Sequence, residues 1–195
     1  MDEFRIIIKG YARQEASGRW RATSTTTLIS SGGKLVLVDP GMNPKELSAA
    51  FSTADINPGD IDLVTTTHSH LDHSRNCRQF DKAKVLDLFS LYKAHKKTSE
   101  KIYIPQTGIE VIFTPGHVDK HFALLFDTAG GRYAVAGDVF WWEDDEVQKT
   151  DSISLIEHVD PVAKDQDILQ ASRKKLLGIA DFIIPGHGDI FPVSD

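Results

Sequence analysis

A single cysteine, Cys77, occurs in the 195 residues, so no internal disulfide can form. No apolar run approaches the ~20 residues that a membrane-spanning helix needs. The opening Met1-Asp-Glu-Phe-Arg5 lacks the basic-then-apolar pattern of a secretory signal. Together these scarcities lead to the expectation of a cytoplasmic protein with no membrane partner. Basic residues are short as well: 22 Lys and Arg stand against 28 Asp and Glu, a net charge of −6. That balance argues against a broad electrostatic surface for nucleic acid. The only basic clusters, Lys93-Ala-His-Lys-Lys97 and Arg173-Lys-Lys175, read as solvated helix faces. No internal repeat, low-complexity stretch or linker divides the chain, and residues 1–195 are expected to form one domain.

What the chain does have is a dense run of metal-binding side chains, His68-Ser-His70-Leu-Asp72-His73. Imidazole is the commonest protein ligand for divalent metals, and a carboxylate is its usual companion. An ordinary core has no use for three histidines and an aspartate in six residues. The run follows the β-branched stretch Ile61 to Thr67, which reads as a strand. If that strand continues to His68, residues two apart point the same way, so His68 and His70 can serve one ion. Asp72 and His73 then follow a turn toward a helix and aim at a second point nearby. One segment thus supplies half-shells for two ions, and each ion needs further ligands.

Matching contexts occur elsewhere. Phe113-Thr-Pro-Gly-His117 and Ile183-Ile-Pro-Gly-His187 each place a histidine after a strand and a Pro-Gly turn. Tyr133-Ala-Val-Ala-Gly-Asp138 and Val36-Leu-Val-Asp39-Pro-Gly end strands on carboxylates. Strands that end near a glycine and a polar ligand type suggest one shared rim, where active sites usually sit.

In this order the pieces resemble the metallo-β-lactamase superfamily of metal-dependent hydrolases, over residues 36 to 188. The resemblance implies an αββα sandwich, an α/β architecture of two mixed β-sheets with helices on their outer faces. It implies His68, His70 and His117 around a first metal ion, and Asp72, His73 and His187 around a second, with Asp138 bridging. Zinc is the expected metal, with iron or manganese as alternatives that such ligands also accept. Zinc β-lactamases that destroy antibiotics typically carry Cys at the bridging position, so Asp138 turns the expectation away from them. Arg75 stands where many members have a small residue, which bears on loop shape and not on ligation. Three further stretches, Arg21 to Leu28, Ala136 to Phe140 and Ser172 to His187, resemble superfamily members linked to the 3′-end processing of histone transcripts.

Two such ions can share a hydroxide, because metal binding lowers the pKa of water toward neutrality. The implied reaction is hydrolysis, with Asp72 and Asp138 holding the reacting centre. The leading expectation is cleavage of an ester or thioester bond in a small molecule. A phosphodiesterase or ribonuclease suits the same metal pair, but scarce cations disfavour it. An iron-dependent oxidoreductase similar to the persulfide dioxygenase branch is the third reading. Asp39 is expected to orient a ligand histidine rather than to bind metal. Trp141, Trp142 and His121 are weaker candidates for the substrate cleft; adjacent tryptophans on a strand point apart, so only one of that pair can face it. Cys77 reads as a small buried residue. A short chain also leaves room for an apolar patch that a second copy would cover, giving a homodimer.

The remaining segments yield a coarse map. Phe4 to Ile8, Thr25 to Ser30 and Lys34 to Val38 read as strands, the last two as a hairpin. Asn43-Pro-Lys-Glu46 is a helix start, with Asn as cap and Pro in the first turn. Short strands are expected over Lys84 to Leu88, Ile102 to Ile104 and Ile109 to Phe113. A hairpin is expected over His121 to Asp127 and Arg132 to Ala136. A helix capped by Asp165 or Asp167 should run through Leu177, before a last strand from Asp181 to Ile184.

Overall fold

In the computed structural model, which describes residues 1–95 and 101–194, neighbouring apolar residues part to opposite sides of a sheet. The first half contains β1 (Glu3–Ile8), β2 (Tyr11–Gln14), β3 (Trp20–Thr23), β4 (Thr26–Ser31), β5 (Lys34–Val38) and α1 (Pro44–Thr53). It continues with β6 (Leu63–Thr65), α2 (Leu71–Ser74), β7 (Lys84–Leu86) and α3 (Leu88–His95). The second half contains β8 (Glu110–Phe113), β9 (Phe122–Thr128), β10 (Gly131–Trp141), α4 (Ser152–Glu157), α5 (Gln166–Leu177), β11 (Phe182–His187) and β12 (Phe191–Pro192).

Two five-stranded sheets result, ordered β1-β4-β5-β6-β7 and β12-β11-β10-β9-β8, with β2-β3 as a separate hairpin. Both sheets are mixed: β5-β6, β6-β7 and β10-β11 pair parallel, and the other strands pair antiparallel. Strand alternation fills three layers. Leu28, Leu37 and Val64 face outward onto Leu47 and Phe51 of α1. Ile29, Val36 and Val38 face inward and meet Leu124, Phe126 and Val135 of the other sheet. Ala123, Leu125 and Ala134 face the far side and pack on Leu169 and Leu176 of α5. This is the expected αββα sandwich.

Local chemistry explains the helix limits. Asn43 caps α1, its side chain accepting from the amides of Lys45 at 3.1 Å and Glu46 at 3.4 Å, with Pro44 in the first turn. Asp165 caps α5 by accepting from Ile168 N at 3.0 Å. Among the described residues no helix is long and apolar enough to cross a membrane.

Four expectations need correction. The strand before the histidine run ends at Thr65, not His68. Asp39 captures the Thr67 amide at 2.7 Å, and the Thr67 carbonyl accepts from Phe122 N at 2.9 Å, so the chain leaves its sheet there. A bend and the first turn of α2, rather than strand alternation, therefore place His68 and His70. The segment Ile102 to Ile104 forms only a bridge between Tyr103 and Glu110. The β2-β3 hairpin was not foreseen, and β10 runs past Ala136 to Trp141, carrying Asp138 within it. Finally, Arg173 is fully buried rather than solvated. Its Nε donates to Val139 O at 2.9 Å and its Nη1 to the carbonyls of Ile156, at 3.3 Å, and His158. In the other basic cluster Lys93 is exposed on α3, as expected, while Lys96 and Lys97 lie outside the described residues.

Candidate metal centre

Asp39 sits at the end of β5 with φ 49°, a left-handed conformation that Asp tolerates better than most residues. Its carboxylate accepts from the Thr67 amide at 2.7 Å, the Thr67 hydroxyl at 2.8 Å and His73 Nδ1 at 2.9 Å. A carboxylate can only accept, so His73 carries a proton on Nδ1, and Nε2 is the atom left to bind a metal once it gives up any second proton. The Thr67 hydroxyl donates to Asp39 and therefore accepts from His68 Nδ1 at 3.1 Å. That fixes the same tautomer on His68.

Two more histidines are set the same way from other parts of the chain. His117 Nδ1 donates to Asp160 Oδ2 at 2.7 Å. His187 Nδ1 donates to the carbonyls of Thr23 at 3.0 Å and Tyr11 at 3.1 Å. Four imidazoles thus present Nε2 lone pairs, and each ring is held by the proton on its other nitrogen. His70 joins them, with its Nδ1 3.1 Å from His117 Nε2.

Asp138 stands between two groups of these atoms. Its Oδ2 lies 3.3 Å from His117 Nε2 and 3.5 Å from His68 Nε2. Its Oδ1 lies 3.1 Å from His73 Nε2 and 3.6 Å from His187 Nε2. Asp72 Oδ2 completes the second group, 3.3 Å from His187 Nε2. His68, His70, His117 and Asp138 form one set of potential ligand atoms, and Asp72, His73 and His187 form another. Two glycines make this closeness sterically feasible. A Cβ at Gly186 would fall 1.9 Å from Asp138 Oδ1, and one at Gly137, where φ is 51°, would fall 2.5 Å from the Thr67 hydroxyl.

The residues fit divalent metal. His68 Nε2, His73 Nε2 and Asp138 Oδ1 are buried and make no hydrogen bond. His73 Nε2 and Asp138 Oδ1 are close enough to bond yet are not aligned to do so; both address the space between the rings. Orphaned buried polar atoms are rare and call for an explanation, and a cation supplies one. The electrostatics agree. Burial opposes the charge on Asp138, yet His73, His187 and His68 hold its pKa well below the usual carboxylate range. Burial would likewise lower the His73 pKa, but Asp138 and Asp39 hold it well above its ordinary value. Burial, followed by the neighbouring His73, pushes His68 well below its ordinary value, and burial and His117 lower His70. The centre is a fixed carboxylate ringed by imidazoles that cannot all be protonated together, and it is disposed to exchange protons for metal.

A cleft of about 400 Å³ opens onto this cluster and reaches His70, Asp72, His117, Asp138 and His187. Of the weaker candidates, Trp141 lines it, with its ring centroid 6.0 Å from that of His187. Trp142 does not: the next residue along β10 points to the opposite face and packs against Phe191 and His158. His121 does not either. It is fully buried, stacks on His68 at 4.8 Å between ring centroids, and meets the Thr114 hydroxyl through Nδ1 at 3.0 Å. Cys77 packs partly buried beside Phe51 and Phe80, away from both ligand groups.

Sequence reading missed Asp160. It is a single aspartate in a loop, 43 positions from the histidine it holds, and no motif marks it. Its other oxygen, Oδ1, accepts from Val162 N at 3.0 Å. Burial raises its pKa, but His117, Val162 N–H and the Trp141 indole together hold it below the usual carboxylate range.

Fold and site together define a metal-dependent hydrolase. Comparisons agree: a family model described as the metallo-beta-lactamase superfamily matches residues 19–106. Metallo-beta-lactamase domain-containing protein 1 of Xenopus laevis is 31% identical over 96% of this chain and 80% of its own length. A Thermotoga maritima protein of metallo-β-lactamase type superposes with a TM-score of 0.70 at 20% identity, over 98% of this chain and 99% of that one. Another solved structure, in a di-iron-bound form, superposes with a TM-score of 0.55 at 25% identity, over 87% and 90%. The chain belongs to the metallo-β-lactamase superfamily.

Proposed function

We propose that this chain is a dinuclear metallo-hydrolase, with zinc as its metal, that cleaves an ester or thioester bond of a small molecule. One observation carries the reading: the two oxygens of Asp138 face two separate groups of imidazoles. His68, His70 and His117 would hold one ion, Asp72, His73 and His187 the other, and Asp138 both. When bound, such a pair generates a nucleophile from water near neutral pH and polarises the bond to be broken. The chain itself keeps four histidines in the tautomer that leaves Nε2 free. Through Asp39, Thr67, Asp160 and the carbonyls of Tyr11 and Thr23 it fixes their rings, so little rearrangement accompanies binding. Asp72 and His70 are the more exposed members, on the side of the cleft, and Trp141 lies edge to face with His187, ring centroids 6.0 Å apart.

A His and carboxylate donor set suits zinc without any need for redox chemistry. Iron is the second reading for the metal, favoured by the neighbour solved in a di-iron-bound form. Turnover by zinc-loaded protein on matched thioester and phosphodiester substrates tests the proposal, with Asp138→Ala as control. Thioester cleavage that falls ~100-fold or more in the variant supports it. Phosphodiester cleavage alone rejects it, and oxygen-dependent turnover by iron-loaded protein alone rejects hydrolysis.

A further inference from the structure

The walls of the cleft say more about the substrate than the metal centre does. The β2-β3 register pairs Ala12 with Ala22, Gln14 with Trp20 and Arg13 with Arg21. Alternation therefore gives this hairpin one face that is apolar apart from exposed Gln14 at its outer end, and one face that carries both arginines. The apolar face, Ala12, Trp20 and Ala22, lines the cleft. The cationic face turns away: Arg13 pairs with Asp144 at 3.1 Å, and Arg21 lies against the Tyr11 hydroxyl. On the remaining sides stand Met42, Leu71, Trp141 and Val162. Trp20 and Trp141 meet edge to face, 6.3 Å apart. No Lys or Arg lines the cleft among the described residues.

The acidic run Glu143 to Glu146 anchors this hairpin from behind and does not line the cleft. Asp144 N donates to Ala12 O at 2.7 Å, and Ala12 N donates back to Asp144 Oδ1 at 3.1 Å. The run Glu143-Asp-Asp-Glu146 is thereby seated along the strand that supplies Ala12. An anionic tail leaving the metal centre would lose its water and find no Lys or Arg on the walls to pair with. Burying an unpaired charge in that way is strongly unfavourable.

We infer that the substrate presents an uncharged, apolar acyl or alkyl group to this cleft, and that a carboxylate or phosphate at its far end is rejected. The inference deepens the ester or thioester reading and rests on the same site. A volume of about 400 Å³ is at the small end of the range for ligand pockets, which suits a short to medium chain. Asp160 ties this selection to the metal centre: one oxygen holds His117, and the other holds the backbone of Val162, whose side chain forms a wall.

Binding and turnover are measured separately on zinc-loaded protein. Calorimetric titration compares octanamide with suberamate, the amide of the same length that ends in a carboxylate. Octanamide is expected to bind ~tenfold more tightly or better. Val162→Lys, at an exposed loop position that folding tolerates, is expected to narrow that ratio ~fivefold. In turnover, kcat/KM on N-acetylcysteamine thioesters is expected to rise ~fourfold per methylene from acetyl toward octanoyl, the gain from burying one methylene. Equal or tighter binding of suberamate, no binding of either amide, or a flat thioester series overturns the inference. Octanamide binding with its preference intact, but no ester or thioester cleaved at any length, leaves the inference standing and removes the hydrolytic proposal instead.

Discussion

Asp160 Oδ2 lies 2.7 Å from His117 Nδ1, and this pair mirrors Asp39 and His73 at 2.9 Å across the centre. Each group of ligand atoms has one histidine oriented by a buried carboxylate from a different loop. Asp39 comes from the end of β5, and Asp160 from the segment before α5. The two pairs share no residue, but Asp39 also holds Thr67, whose hydroxyl accepts from His68 Nδ1, so only Asp160 acts on one group alone.

An asymmetric pattern of metal loss follows from that difference. Asp160→Ala should weaken only the ion held by His68, His70 and His117, whereas Asp39→Ala should weaken the ion held by Asp72, His73 and His187 most and, through Thr67 and His68, the other ion less. Removing an outer carboxylate of this kind typically costs ~10–100-fold in affinity. Competitive chelator titrations should resolve two classes of ion, with one class shifted by Asp160→Ala and the other shifted most by Asp39→Ala. Identical shifts of both classes in both variants would mean that the carboxylates act on the fold as a whole.

Gly186 should prove intolerant of any side chain. Its added Cβ would fall 1.9 Å from Asp138 Oδ1, and both the amide and the hydroxyl of Thr25 already donate to its carbonyl, at 2.7 and 3.1 Å. Neither the backbone nor the aspartate has room to yield. Gly186→Ala is expected to displace Asp138 and lower kcat ~100-fold or more, while overpacking costs ~1–3 kcal/mol of stability. Full activity with an unchanged urea midpoint would show that the site relaxes where close packing says it cannot.

The candidate ligand set was legible in the chain because its signal is dense and local. His68, His70, Asp72 and His73 lie within six residues, and His117, Asp138 and His187 each follow an apolar strand and a glycine. The outer helices were legible where capping was explicit, at Asn43 and Asp165. Other features depend on tertiary partners that no local pattern encodes. Asp160 is one aspartate among many until the loop closes over His117. The β2-β3 hairpin has strands of only four residues that mix aromatic, small and charged side chains, so it lacks the β-branched stripe that marks a strand. The strand into the histidine run stops early because a side chain, Asp39, takes the Thr67 amide that a neighbouring strand would have bound. Arg173 sits beside two lysines in sequence, and only the helix packing reveals that it faces the other way.

Arg173 is a structural cation, and its loss should be costly. It is fully buried on α5 and serves the carbonyls of Val139, Ile156 and His158, which link β10 to α4. Burial pushes its pKa down to about 10, and Asp160 partly offsets this, so it stays charged at neutral pH. Arg173→Ala leaves buried carbonyls without donors and a cavity behind, an expected loss of ~3–5 kcal/mol. The exposed neighbour Lys174 provides the control: Lys174→Ala should change stability by less than ~0.5 kcal/mol. Urea denaturation of the two variants settles the contrast, and a loss below ~1 kcal/mol for Arg173→Ala would sink it.

Cys77 carries a pH signature that can be read without any substrate. Burial, and then the nearby charge of Asp39, raise its thiol from an ordinary 9.0 to about 12. The folded state therefore keeps a proton that the unfolded chain releases above about pH 9. The state that binds more protons is favoured at low pH, so this contribution is complete below pH 9 and declines as pH rises toward 12. A thiol held protonated is also a poor nucleophile. Native protein at pH 8 should thus react slowly with a thiol-specific reagent, and unfolded protein rapidly. Cys77→Ala should lose less stability than the parent between pH 9 and pH 11. Fast labelling of the native protein, or parallel stability curves for the two proteins across that interval, would show that the thiolate is accommodated in the fold after all.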